Sequence, residues 1–376
     1  MKTRDDALVY QETQSSDKTS KTWDLKYTDP LSALFLEFDC VNGTTSNKGN
    51  FISDIITKIE IVDGGKPLYE LPMDLLEALH FYKTKKMPSI FPSEFPSGNN
   101  RHGVMLMFGR TLWDPQYAFN PLAYKNPQLK ISWDLGAVRT VSATTAFATG
   151  TLKISAIAKI MEGVGAPSDF LSAREVETFT MVTSGSKKVE MWTDFPWRLM
   201  LIKSFLQGKD IDECISYLTL NCDSGKFKPL DNRYVHQLDH EALALFGAGR
   251  IKHDVFTSHQ TEFRLVFNKE PSVDAYSWED SSPNIIGVRY AWSSGCKLDI
   301  TDNAGTAVTA DASYTTVEIG HAPHATLAIP FGDMDKPEQW FNAKEFGGID
   351  LFLYAPSTGA AGVSSVVLEQ VRPNGE

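Results

Sequence analysis

The sequence is poor in the residues and spacings that build a chemical site. It holds four cysteines in 376 residues, Cys40, Cys214, Cys222 and Cys296, and none forms a C-x-x-C pair. That excludes a zinc ribbon and a dithiol redox motif. So sparse a set in so long a chain is expected as free thiols in a reducing compartment. Positive charge is scarce as well. The net charge is −11, against 36 Lys and Arg, which argues against a surface built to grip nucleic-acid phosphates. The one tight basic cluster, Lys83, Lys85 and Lys86, reads as a solvated loop. Long apolar runs are missing too. Residues 1–22 are polar, with no apolar core of signal-peptide type. Leu351 to Leu368 is uncharged and apolar but is broken by Pro356, Gly359 and Gly362, which excludes a membrane-spanning helix. A soluble product of the cytosol is expected.

Catalytic signatures are equally short in supply. There is no G-x-S-x-G elbow, no phosphate loop and no dinucleotide fingerprint. His236 and His240 are four apart, as on one helix face, but no Glu follows His236, so the zinc-protease pattern fails. The pair falls where a helix is expected to end and is assigned to surface or cap positions. His321 and His324 flank Pro323 and read as loop histidines. Asp299 to Gly305 has the oxygen-rich look of a calcium loop. Ala304 and Ala310 stand where the Gly and the closing Glu belong, so a hairpin turn explains it equally well. Carboxylates are plentiful, and a glycosidase needs two, but nothing selects a pair. No catalytic, cofactor-binding or metal residue is assigned.

What the chain does have is a repeat. Tyr27-Thr28-Asp29-Pro30 returns as Trp192-Thr193-Asp194-Phe195-Pro196. Pro115, Phe119, Asn120, Leu129 and Ile131 return as Pro337, Phe341, Asn342, Leu351 and Leu353, each 222 residues later (337 − 115). Alternating apolar residues predict strands at Ala33–Phe38, Ile55–Val62, Val104–Phe108, Gln128–Trp133 and Thr151–Ile160. Asp63-Gly64-Gly65 is a turn signal, and Pro72–Lys83 predicts a short amphipathic helix. The second half repeats this order with Leu199–Ile202, Cys214–Leu220, Asp223-Ser224-Gly225, Leu230–Leu238 and Ser365–Val371. Leu71, Leu75, Leu76 and Leu79 match Leu230, Tyr234, Val235 and Leu238 at an offset of 159 (230 − 71). The offset grows by 63 residues between about Asp239 and Lys336 (222 − 159), so the second half carries an insertion.

The expected organisation is a flexible arm over 1–22, a first β-sandwich over 23–163, a linker over 164–174, and a second sandwich over 175–376 with its insertion at about 273–319. Hydrophobic content of 42% and 22% charge fit a globular chain, and 26 Gly with 19 Pro fit many short connections. The fold class is all-β.

Two tandem β-sandwich halves, a helix after an early hairpin in each, a polar arm and one larger insertion resemble the double jelly-roll major capsid proteins of tailless icosahedral phages and related viruses. The resemblance covers nearly the whole chain and rests on architecture, so it carries over no site residue. It implies homotrimers that act as pseudo-hexagonal tiles, an arm ordered against neighbours or a lipid layer, and an insertion forming an outward tower from Ile285–Trp292 and Tyr314–Ile319. The partners it implies are further copies of the chain, with penton or minor capsid proteins and an internal membrane as further candidates, and no sequence-specific nucleic acid. The place is the virion, after synthesis in a host cytoplasm, and no catalysis is required. Tandem sandwiches also occur in glycan-cleaving amidases, which are usually exported. A glycan-binding module is the third alternative, with Trp278 and Trp292 as stacking platforms.

Overall fold

Alternating apolar residues become strands here because a pleated strand sends successive side chains to opposite faces. Leu34, Leu36 and Phe38 are wholly buried while Phe35, Glu37 and Asp39 are not. The computed structural model describes residues 1–45, 47, 50–93, 95–138, 146–206, 209–257, 266–277 and 312–376. The first half holds β1 (Lys2–Thr13), β2 (Lys18–Asp24), β3 (Leu31–Val41), β4 (Lys58–Asp63), β5 (Lys66–Leu71), α1 (Met73–Thr84), β6 (Ser89–Phe91), β7 (Asn99–Met107), β8 (Pro127–Asp134) and β9 (Lys153–Glu162). The second holds β10 (Asp169–Thr180), β11 (Ser186–Met191), β12 (Trp197–Phe205), α2 (Ile211–Cys214), β13 (Tyr217–Cys222), β14 (Phe227–Tyr234) and α3 (Val235–Phe246). It continues with β15 (Gly249–Thr257), β16 (Phe267–Ser277), β17 (Ala312–Pro323), β18 (Thr326–Pro330), β19 (Ile349–Tyr354) and β20 (Val363–Pro373).

Strand order is the same in both halves. The first half sets β1-β9-β3-β7, extended by β6, against β5-β4-β8-β2; the second sets β10-β20-β12-β18 against β14-β13-β19-β11. Even the register repeats. Leu129 lies opposite Ile61, and Leu351 opposite Leu220. Leu31 and Phe119 exchange backbone hydrogen bonds, and so do Trp197 and Phe341. The residue pairs at the 222-residue offset therefore occupy equivalent places in two jelly-roll sandwiches.

Three sequence expectations need correction. Residues 1–22 are not a free arm. β1 pairs with β9 from Lys2 opposite Glu162 to Thr13 opposite Lys153, and β2 pairs with β8. Both are charged edge strands held mainly by backbone ladders, so they lack the apolar pattern that marks a core strand. The first sandwich thus begins at β1, not at residue 23. The linker is also shorter than 164–174, because β10 starts at Asp169, opposite Pro373. The second sandwich therefore begins there and not at 175. Leu230–Leu238 is not a helix throughout. It spans the end of β14 and the first turn of α3, because the β13–β14 hairpin has a longer turn and register shifts. The helices correspond at an offset of 162, Met73 with Val235.

The described part of the insertion starts earlier than 273. β15, β17 and β16 form a separate three-stranded sheet. Its root packs Ile251, Val266 and Phe267 on Phe51 and Ile90 of the first half. Tyr314–Ile319 falls in β17, while Ile285–Trp292, Trp278 and Asp299–Gly305 lie outside the described residues.

Candidate assembly interface

The two halves are welded along one seam, and α1 is at its centre. The sequence places a hairpin and an N-cap proline, Pro72, directly before this helix. That delivers Asp74, Glu77, Tyr82 and Lys83 to the second half. The Tyr82 hydroxyl donates to the Thr326 carbonyl at 2.6 Å. The Lys203 ammonium on β12 pairs with Asp74. The Lys83 ammonium donates to Glu369 of β20 at 2.7 Å, and Arg198 grips the other oxygen of that carboxylate at 2.5 Å. Glu77 is fully buried between His102 of β7, at 3.1 Å, and His324 of the second half, at 2.6 Å. The opposite ring nitrogens, His102 Nε2 and His324 Nδ1, are buried and have no hydrogen-bond partner among the described residues. Each imidazole therefore gives its N–H to Glu77.

The electrostatics follow from this packing. Burial would raise all three seam carboxyls. Lys203 outweighs it at Asp74, His102 and His324 at Glu77, and Lys83 and Arg198 at Glu369, so each is held below its ordinary range. Burial lowers Lys83, against the pull of Glu369. Burial also lowers His80, whose Nδ1 accepts from the Met105 amide. A cavity of about 330 Å³ opens beside the cluster, lined among others by Arg110, Arg198, Asp333 and Asp335. Its walls carry both charge signs and select no ligand class.

The seam also joins sheets. β10 lies beside β5 in parallel, with Arg174 opposite Glu70, so the two halves share one eight-stranded sheet. Tyr117, Leu171 and Trp340 form a small apolar cluster there. By strand order β1 is the counterpart of β10, and β14 the counterpart of β5. Both end their sheets, and both show large exposed side chains: Tyr10 on β1, and Phe227 and Tyr234 on β14.

The histidines fall only partly where the spacing placed them. His236 and His240 are exposed, as expected, but they lie in the first turn and the middle of α3 and not at its end. His321 and His324 are buried and not solvated loop residues. His321 Nε2 meets Asp239 at 3.1 Å, as His324 meets Glu77. Cys40, Cys214 and Cys222 are buried and form no disulfide among the described residues. Among the described residues no three or more His, Cys, Asp or Glu side chains gather as a metal site. The seam itself was missed because Lys83, which the sequence placed in a solvated basic loop, lies buried in the last turn of α1, while Asp74, Glu77 and Glu369 read as ordinary polar positions.

No protein-family model and no curated protein matches the sequence. Solved structures do. The crystal structure of the STIV MCP matches with a TM-score of 0.61 at 11% identity, over 99% of this chain and 96% of that one. The atomic structure of Sulfolobus Turreted Icosahedral Virus gives 0.58 at 10%, over 99% and 90%. The major capsid protein of bacteriophage PM2 gives 0.54 at 12%, over 99% and 98%. At such low identity the likeness speaks for fold, and it spans both halves. The chain has the double jelly-roll fold of the viral major capsid proteins.

Proposed function

We propose that this protein is a viral major capsid protein that assembles as a homotrimer and tiles an icosahedral shell. One observation carries the reading. The internal seam joins the β5 edge of one sandwich to the β10 edge of the next, and the chain ends its sheets with the counterparts of those same edges, β14 and β1. Repeating the seam between copies sets β14 of one chain beside β1 of the next. Such head-to-tail contacts make a ring where the rotation closes. Three chains supply six similar sandwiches, and a ring of six is the tile that threefold symmetry can build from two-sandwich protomers. The aromatic side chains exposed on β1 and β14 suit a buried contact. The insertion, rooted over the first half and absent from it, is the outward tower. Neighbouring trimers are the next partners, with penton or minor capsid proteins and an internal membrane beyond them. Shell building of this kind requires no catalysis and places the protein in the virion, after synthesis in the host cytoplasm.

Sedimentation of the purified protein tests the reading. A trimer with an interface above ~2,000 Å² is expected, together with hexagonal outlines in negative-stain images. A chain that stays monomeric at tens of micromolar overturns it.

A further inference from the structure

Helix α3 repeats α1, but with a different face turned outward. Both are 12 residues long and follow equivalent hairpins, with Leu71 opposite Ile59 and Arg233 opposite Leu218. Aligning their first residues sets Asp74 with His236, Leu75 with Gln237, Ala78 with His240, Leu79 with Glu241 and Tyr82 with Ala244. In α1 the residues Leu75, Ala78, Leu79 and Tyr82 are buried; in α3 their counterparts are exposed. The second half contributes to covering α1, through Lys203 on Asp74 and Thr326 on Tyr82. The outer face of α3 is therefore the same seam surface, uncovered and made polar.

The surface that would cover it can be read from strand register. Ala33 lies opposite Met107 and Lys159, as Leu199 lies opposite Pro330 and Glu369. Counting along β3 and β12 from these pairs sets Lys203 with Glu37, and Glu369 with Lys159. The internal pair Asp74–Lys203 thus has His236 and Glu37 as its counterparts. A carboxylate faces an N–H donor in both pairs, with the two roles exchanged between helix and sheet, so the complementarity is kept. The Lys83–Glu369 pair has no such successor, because Leu245 and Lys159 hold those places.

The geometry points to the outer face of α3 as the seat for the β3–β7–β9 sheet of a second copy, with His236 facing the partner subunit's Glu37. This rests on the assembly reading above and specifies its contact. The charged neighbours on the helix side are His240, Glu241, which pairs with Arg233, and the buried Asp239, which meets His321. On the sheet side, Arg101 lies 4.0 Å from Glu37 and pairs with Asp39, and Lys159 pairs with Asp5. Where α1 presents Leu75, Ala78, Leu79 and Tyr82, α3 presents Gln237, His240, Glu241 and Ala244, so this contact buries less apolar surface than the internal seam.

A charge exchange tests it. His236→Asp sets a carboxylate against Glu37, and Glu37→Lys sets an ammonium against His236. Each alone should weaken association about tenfold or more in sedimentation. The double variant, which reproduces the internal Asp–Lys pair, should recover association to within about threefold of wild type, since the coupling of a touching pair is what a double-mutant cycle isolates. Thermal melts check each fold; His236 is exposed, so its variant should melt as wild type does. Where Glu37→Lys melts early, Glu37→Gln replaces it and should relieve the defect of His236→Asp. Wild type that associates while His236→Asp leaves association unchanged overturns this contact and leaves the assembly reading standing. The same holds where neither second substitution relieves the defect. Wild type that never associates overturns both.

Discussion

Lys83 of the first half and Glu369 of the second meet at 2.7 Å with side chains 2% and 1% exposed. They are 286 residues apart in sequence. A charge pair taken out of water costs desolvation, and its value appears when one partner is removed. Glu369 also holds Arg198, so one carboxylate serves two cations. Glu369→Gln leaves both buried without a counter-charge and should cost about 3–5 kcal/mol, measured by urea unfolding. A loss below about 1 kcal/mol would mean that water or a neighbour takes over the role.

Acid should open this seam. Asp74, Glu77 and Glu369 are all held below their ordinary values of 3.8, 4.5 and 4.5 in the folded chain. Groups with depressed folded values stabilise the fold fully above the ordinary range and lose that contribution as pH falls through the lowered values. Stability should therefore be flat in these terms above about pH 5.5 and decline below about pH 4.5. Glu77→Gln should flatten part of that decline. An identical acid slope in the variant would remove Glu77 from the account.

The N-terminal strand should matter to the first sandwich. β1 caps β9 over its whole length, from Glu162 to Lys153. Deleting residues 1–13 bares the β9 edge, and bare edges pair with other chains. The truncated protein should melt several degrees lower and aggregate on heating, as followed by light scattering. A truncated chain with an unchanged melt would return this segment to the status of an arm.

Phe119 should be as costly to lose as a central core residue, although it lies in a loop between strands. It is wholly buried and stacks on Phe108 and Tyr124 at centroid distances of 5.1 Å each. Phe119→Ala should cost about 3–5 kcal/mol in denaturant unfolding. Its counterpart Phe341 is only partly buried, so Phe341→Ala should cost less.

Gly332 is constrained twice. Its φ is +81°, and an added Cβ would sit 2.6 Å from the carbonyl oxygen of Gln339. Gly332→Ala should destabilise the turn after β18 by about 1 kcal/mol or more, seen as a lowered melting temperature; an unchanged melt would mean that the Gln339 segment moves aside.

The sequence by itself determined the duplication, the all-β class and most of the core strands. Buried positions such as Leu129 and Leu351 must keep both apolar character and register, and a fixed offset between them survives as a visible pattern. It also located α1, whose start follows a turn and a proline. It did not reveal β1 and β2, because an edge strand is held by backbone ladders that leave side chains free to be charged. Nor did it mark the seam. Asp74, Glu77, Lys83, Lys203, His324 and Glu369 are scattered over the two halves, and each is an unremarkable polar letter on its own. Only the tertiary structure brings them together and buries them, and burial is what turns a polar residue into a partner that must be matched. The same holds for His236 and Glu37: their correspondence with Asp74 and Lys203 lies in strand register and helix placement, which the fold decides.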